Sequence, residues 1–251
     1  MEVTLRVLIG LGFGLLLIML RLDAERFGAA EYVDAGAEST MRGLWRRTSW
    51  YVLGLAMIVA VALVHPSPSD LLLRIGDRGD VVGFGLAFAV LGALQAIGFA
   101  WLVYRRLRLP PAWAYPTVLL NSVTTAVIDE AAFRGIFLAY LLGSGMGDVP
   151  AIVIQGLVYA LATRLGAPGR PAYLFLVFLV VGLVAGWSAT VTWGIGAAIV
   201  GHAVTRFAVL VCHVYAGEAP SPDRDAGEGG DLPPRRAWAA AAPGDADSVE
   251  V

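Results

Sequence analysis

"AVIDEAAFRGIFLAYLL", residues 126–142, is apolar enough to enter a bilayer, yet it holds Asp129, Glu130 and Arg134 near its middle. Placing one charged side chain at the bilayer centre costs between about 2.5 and 17 kcal/mol, depending on the scale. These three groups therefore face the inside of a helix bundle or a wet cavity, not lipid. Glu130 and Arg134 are four residues apart, so they share a helix face and can pair. Asp129 lies roughly 100° round the helix from Glu130, close enough to share a cavity but not the same contact.

The rest of the chain reads as the bundle that this segment needs. Of 251 residues 58% are hydrophobic and only 15% are charged, far less charge than a soluble domain of this length carries. The class is all-α, a polytopic transmembrane helix bundle. A spanning helix needs about 20 mostly apolar residues. The candidate spans are Val3–Leu20, Ser49–Val64, Val81–Val103, a long one from about Ala112 to Leu142, Pro150–Thr163, Ala172–Trp187 and Thr190–Cys212. The long one is a single tilted helix or two pieces broken near Pro116. The count is seven spans, with eight as the alternative.

Charge placement orients the bundle. Every basic residue is arginine. Arg21, Arg26, Arg42, Arg46, Arg47, Arg105, Arg106, Arg108, Arg164 and Arg170 fall in odd-numbered connections, and Arg224, Arg235 and Arg236 in the tail. The opposite side has Arg74 and Arg78 alone. The positive-inside rule then sets the N-terminus outside and the tail in the cytoplasm of a plasma membrane. Heavy Ala and Gly usage hints at a GC-rich genome, and the expected source is prokaryotic. Arg6 is an awkward charge in the first span, expected to snorkel to the interface. That span lacks a convincing cleavage site and reads as an anchor. The arginine-and-acid loop from Arg21 to Arg47 reads as a solvated, partly amphipathic interface segment. Residues 1–216 form the membrane domain. Residues 217–251, rich in Pro, Gly, Asp and Ala, bury too little apolar surface to offset ordering entropy and are expected to be a disordered tail.

A second charged pair lies in the last span, where "GHAVTRFAVL" carries His202 and Arg206 four residues apart. At ~1.5 Å per residue, His202 is about 18 Å from a helix start at Thr190, and Asp129 about 18 Å from a start near Thr117. Both depths are near mid-membrane, where the pairs can meet. Zinc usually takes three protein ligands with His and Cys prominent. Here only His202 and the carboxylates are on offer beside two fixed positive charges, so no metal and no other cofactor is expected. His65 reads as an outer-loop residue, His213 as interfacial and Cys212 as a small buried hydrophobe. Gln95 and Asn121 read as interhelical hydrogen-bond partners. A net charge of −2 gives no basic field for nucleic acid. The expected partners are membrane lipid and a peptide or membrane-protein substrate.

With these residues in view, "DEAAFRG" resembles the Glu-Glu-x-x-x-Arg signature of the CAAX prenyl endopeptidase and bacteriocin-processing (CPBP, Abi) intramembrane proteases. The likeness covers about residues 112–210. It implies a glutamic-type peptidase in which the first carboxylate activates water. By position, Asp129 is the implied base, Glu130 its neighbour, Arg134 the support and His202 the surviving histidine. The family's Phe-x-x-x-His appears as Tyr159 and Thr163 in "LVYALAT", and its His-x-x-x-Asn as His202 and Arg206. Thr163 donates one hydrogen bond but cannot exchange protons near neutral pH. Arg206, if it faces the carboxylates, favours their charged form, yet a guanidinium aimed at an oxyanion also stabilises it.

Three readings stay open. One is a working peptidase that uses Asp129 or Glu130 with His202. Another is a non-catalytic relative that keeps the polar core for packing and binding. The third, a small transporter or proton relay, fits the charges but not the motif order.

Overall fold

The computed structural model describes residues 3–27, 41–76, 78–104, 115–166 and 174–214. The proposed tail and the 105–114 connection lie outside them. Helices α1 (Val3–Leu22), α2 (Met41–Val64) and α3 (Arg78–Tyr104) lead to α4 (Tyr115–Glu130). A π-helical stretch, Ala131–Phe137, joins α4 without a break to α5 (Leu138–Gly143). Helices α6 (Asp148–Leu165), α7 (Leu174–Thr192) and α8 (Gly196–Val209) complete the bundle. Counting α4 to α5 as one rod, there are seven rods among the described residues. Five helices are long and apolar enough to cross a membrane.

The molecule is apolar outside and polar at its centre. Leu8, Leu15, Val59, Leu86, Leu94, Leu176 and Val180 are exposed, whereas Asn121, Thr125, Asp129, Glu130, Arg134, Gln155, Thr163, His202 and Arg206 are buried. That inversion is what a hydrocarbon solvent imposes, because a polar group facing lipid has no partner. Gln95, read as an interhelical partner, is instead exposed on α3.

Bare backbone sets the helix spacing. A Cβ on Gly182 of α7 would come within 3.0 Å of the Gly156 Cα of α6. Gly92 and Gly201 play the same part between α3 and α8, against Thr205 and Phe88. Small residues let backbones approach where no solvent-driven collapse holds helices together. The π-helical stretch is the hub, touched by α1, α2, α6 and α7.

Two expectations need correction. The last helix does not begin at Thr190, because α7 runs on to Thr192 and the chain turns through Trp193, at φ 52°, before α8 starts at Gly196. The amides of Ile195 and Gly196 donate to the Arg74 and Ile75 carbonyls of the α2–α3 connection, which supplies the partners that a continuing helix would have given them. Nor is Arg21 a loop residue: it is in the last turn of α1 and 3% exposed. The Arg6 guanidinium donates to the Val64 and His65 carbonyls, at the end of α2 and the start of the connection that follows, at 2.8 and 3.0 Å.

Candidate functional site

Glu130 is the last residue of α4, and Arg134 follows within the π-helical stretch. The Leu138 amide donates to the Phe133 carbonyl five residues back, the longer register of a π-helix. Into this loosened ladder comes the α2–α3 connection, whose Leu72 amide donates to the Gly135 carbonyl at 3.0 Å. Leu71 and Leu72 are buried there with Phe133 and Ile136. A helix whose bonding pattern opens beside a charged pair is where π-helical turns tend to occur at functional sites.

The charges meet as follows. The Glu130 Oε1 atom accepts from Arg134 Nη1 at 3.0 Å and lies 2.7 Å from His202 Nδ1. Arg134 Nη2 donates to the Gly182 carbonyl at 3.4 Å, and its guanidinium lies 4.3 Å from the Tyr159 ring centroid. The Tyr159 hydroxyl is 3.5 Å from His202 Nε2. With a carboxylate at Nδ1, the imidazole keeps its proton on that nitrogen and its lone pair on Nε2. Four elements thus converge on one oxygen: α4, the π-helical stretch, α8 and, through Tyr159, α6.

Asp129 turns the other way. Its Oδ2 is 3.6 Å from Arg21 Nη1, and both side chains are buried. Arg206 donates to Asn121 Oδ1 at 3.2 Å, and the same oxygen accepts from Tyr51 and Thr125. Asn121 is therefore the interhelical hub that its residue type suggested. Thr163 is buried one turn beyond Tyr159, and its Oγ1 has no hydrogen-bond partner.

This order of carboxylate, arginine, aromatic and histidine on successive helices is what a family comparison can test. Residues 111–208 match the family model of the type II CAAX prenyl endopeptidase Rce1-like proteins. That segment is similar to the Rce1-like proteins. Comparison with curated proteins and with solved structures gives no match. The Rce1-like segment contains α4 to α8 almost whole, and with them Asp129, Glu130, Arg134, Tyr159, Thr163, His202 and Arg206. Together with the apolar helices, it makes the chain an integral membrane protein.

The Rce1-like segment does not complete the polar core alone. Arg21 comes from α1 and Tyr51 from α2, both outside the matched residues. Sequence reasoning missed Arg21 because it counted as a loop charge. The signal was its place within one turn of an apolar helix, where a guanidinium on a long stem reaches back into the bundle. Gln155 was also missed. It is wholly buried on the face of α6 that carries Tyr159 and Thr163.

Proposed function

We propose that the protein is an intramembrane peptidase of the CAAX type, in which Glu130 and His202 act together to activate water. The observation that carries this reading is the 2.7 Å contact between Glu130 Oε1 and His202 Nδ1, deep in the bundle. A carboxylate that holds one imidazole nitrogen leaves the other to take a proton, the arrangement that serves general-base catalysis elsewhere. Water placed at Nε2 attacks the scissile carbonyl as its proton passes to His202. His202 then returns that proton to the departing amine. The Tyr159 hydroxyl, beside Nε2, donates to the oxyanion. Arg134 holds the Glu130 carboxylate in place. Asp129, salt-bridged to Arg21, holds α4 to α1 and supports the adjacent Glu130.

Substrate reaches such a site from the membrane, so a lipid-anchored or hydrophobic peptide fits best. We assign the N-terminus to the outside and the tail to the cytoplasm of a prokaryotic plasma membrane, on the arginine bias.

One observation favours a second reading. Arg206, in the position where the family pattern has Asn, donates to Asn121 and ties α8 to α4, an architectural use. An inactive relative that binds membrane proteins would keep that tie. Cleavage in nanodiscs, read by mass spectrometry on farnesylated and unlipidated peptides, separates the two. Wild-type cleavage that is lost in Glu130→Ala supports the peptidase. Cleavage only after Thr163→His with Arg206→Asn supports the inactive relative.

A further inference from the structure

Gln155 is fully buried, and neither its Oε1 nor its Nε2 has a hydrogen-bond partner. A buried amide left unbonded carries a desolvation cost, and leucine would fill similar space without it. By contrast, Ser122, Thr192 and Thr205 each donate to a carbonyl four residues back, and Asn121 Oδ1 accepts three bonds. Thr163 makes no such back-bond.

The position of Gln155 gives this a direction. Gln155, Tyr159 and Thr163 recur every four residues, so they form one stripe along the buried face of α6. Tyr159 touches the catalytic pair, and Glu130 Oε2 nearby is also buried without a hydrogen bond. The Gln155 carboxamide lies over bare backbone, since a Cβ on Gly186 would stand 2.5 Å from its Oε1. From Gln155 to Tyr159 the helix rises about 6 Å. An extended peptide advances about 3.3 Å per residue, so this step matches two residues of substrate.

We infer that Gln155 is a substrate-positioning residue: its carboxamide pairs with the peptide backbone, donor to carbonyl and acceptor to amide, two residues from the bond that meets His202. The inference rests on the peptidase reading. It makes recognition at this subsite independent of side chain, because every residue but proline offers both backbone groups.

The test uses full-length protein in nanodiscs, with wild type, Gln155→Leu and Gln155→Met. A fluorescein-labelled farnesylated peptide and its unlipidated twin are titrated by anisotropy, cleavage is followed in parallel, and melting is recorded without peptide. The expected result is an equal or higher Tm in both variants, with the peptide Kd raised about tenfold or more, equivalent to ~1.4 kcal/mol. KM should rise with it while kcat falls less. An N-methyl group on the peptide amide two residues from the cleaved bond should cost wild type affinity and leave Gln155→Leu unchanged. An unchanged Kd overturns the inference, and so does a lower Tm, which would mean that the fold itself uses the carboxamide. Gln155-dependent binding without any wild-type cleavage removes the peptidase reading and leaves the backbone contact standing.

Discussion

Glu130 meets a guanidinium and an imidazole at a single oxygen. Removing its charge leaves Arg134 buried beside a neutral amide, and breaking a buried pair from one side costs about 3–5 kcal/mol. Glu130→Gln is therefore expected to melt well below wild type and to lose cleavage by about 10²-fold or more. Adding Arg134→Met should restore much of the stability and none of the activity, because an apolar pair of similar volume is close to neutral in such a site. Thermal unfolding in nanodiscs beside a cleavage assay checks both. Asp129→Asn leaves the Glu130–His202 contact in place, so its cleavage should fall less than that of Glu130→Gln. An equal loss would move the base to Asp129. Which carboxylate meets His202 was not legible in the sequence, because the answer depends on where Arg21 folds. A pair of adjacent acids gives two directions and no means of choosing. That Glu130 pairs with Arg134 was legible, since a four-residue spacing on a helix fixes it.

At the scale of elements, the contact of α6 with α7 sets how close Tyr159 comes to Arg134 and His202. Gly182→Ala would press a methyl on the Gly156 backbone, which cannot rotate away as a side chain can. A cost of about 1–3 kcal/mol is expected for such overpacking, and cleavage should fall with it as Tyr159 is pushed off His202. The turn between α7 and α8 makes a parallel case. A Cβ on Gly194 would stand 2.5 Å from the Arg74 carbonyl and 2.6 Å from the Gly76 nitrogen. Gly194→Ala should therefore speed hydrogen exchange at the Ile195 and Gly196 amides, which donate into the α2–α3 connection. Apolar length located the helices, but it placed the break between α7 and α8 just after Trp187, whereas α7 runs on to Thr192 and α8 starts at Gly196. The turn is made by Trp193 in a left-handed conformation and by carbonyls more than a hundred residues earlier in the chain. No window of local sequence contains that information. The π-helical stretch was equally hidden, because the Leu72 amide that enters its ladder belongs to another element.

Across the whole molecule, the arginine bias and the single buried Cys212 permit a direct test of orientation. Ser67, in the connection after α2, is expected to react as Ser67→Cys with a membrane-impermeant maleimide added outside intact cells. Wild-type protein should stay unlabelled. Labelling of Ser67→Cys only after the cells are opened would invert the topology and bring the α2–α3 connection to the cytoplasmic face. Composition made the bundle legible at this scale, since few charges and long apolar runs leave little else to build.

The continuous rod from Tyr115 to Gly143 is about 43 Å long at 1.5 Å per residue, against a hydrocarbon layer of about 30 Å. A rod of that length leans, and its lean follows the thickness of the layer around it. Glu130 rides on this rod while His202 rides on α8, so a change in lean becomes a change in the distance between them. Acyl-chain length is then a control on the chemistry. On the peptidase reading, cleavage should run at different rates in short-chain and long-chain nanodiscs, and equal rates would show that the lean of the rod does not reach the Glu130–His202 contact.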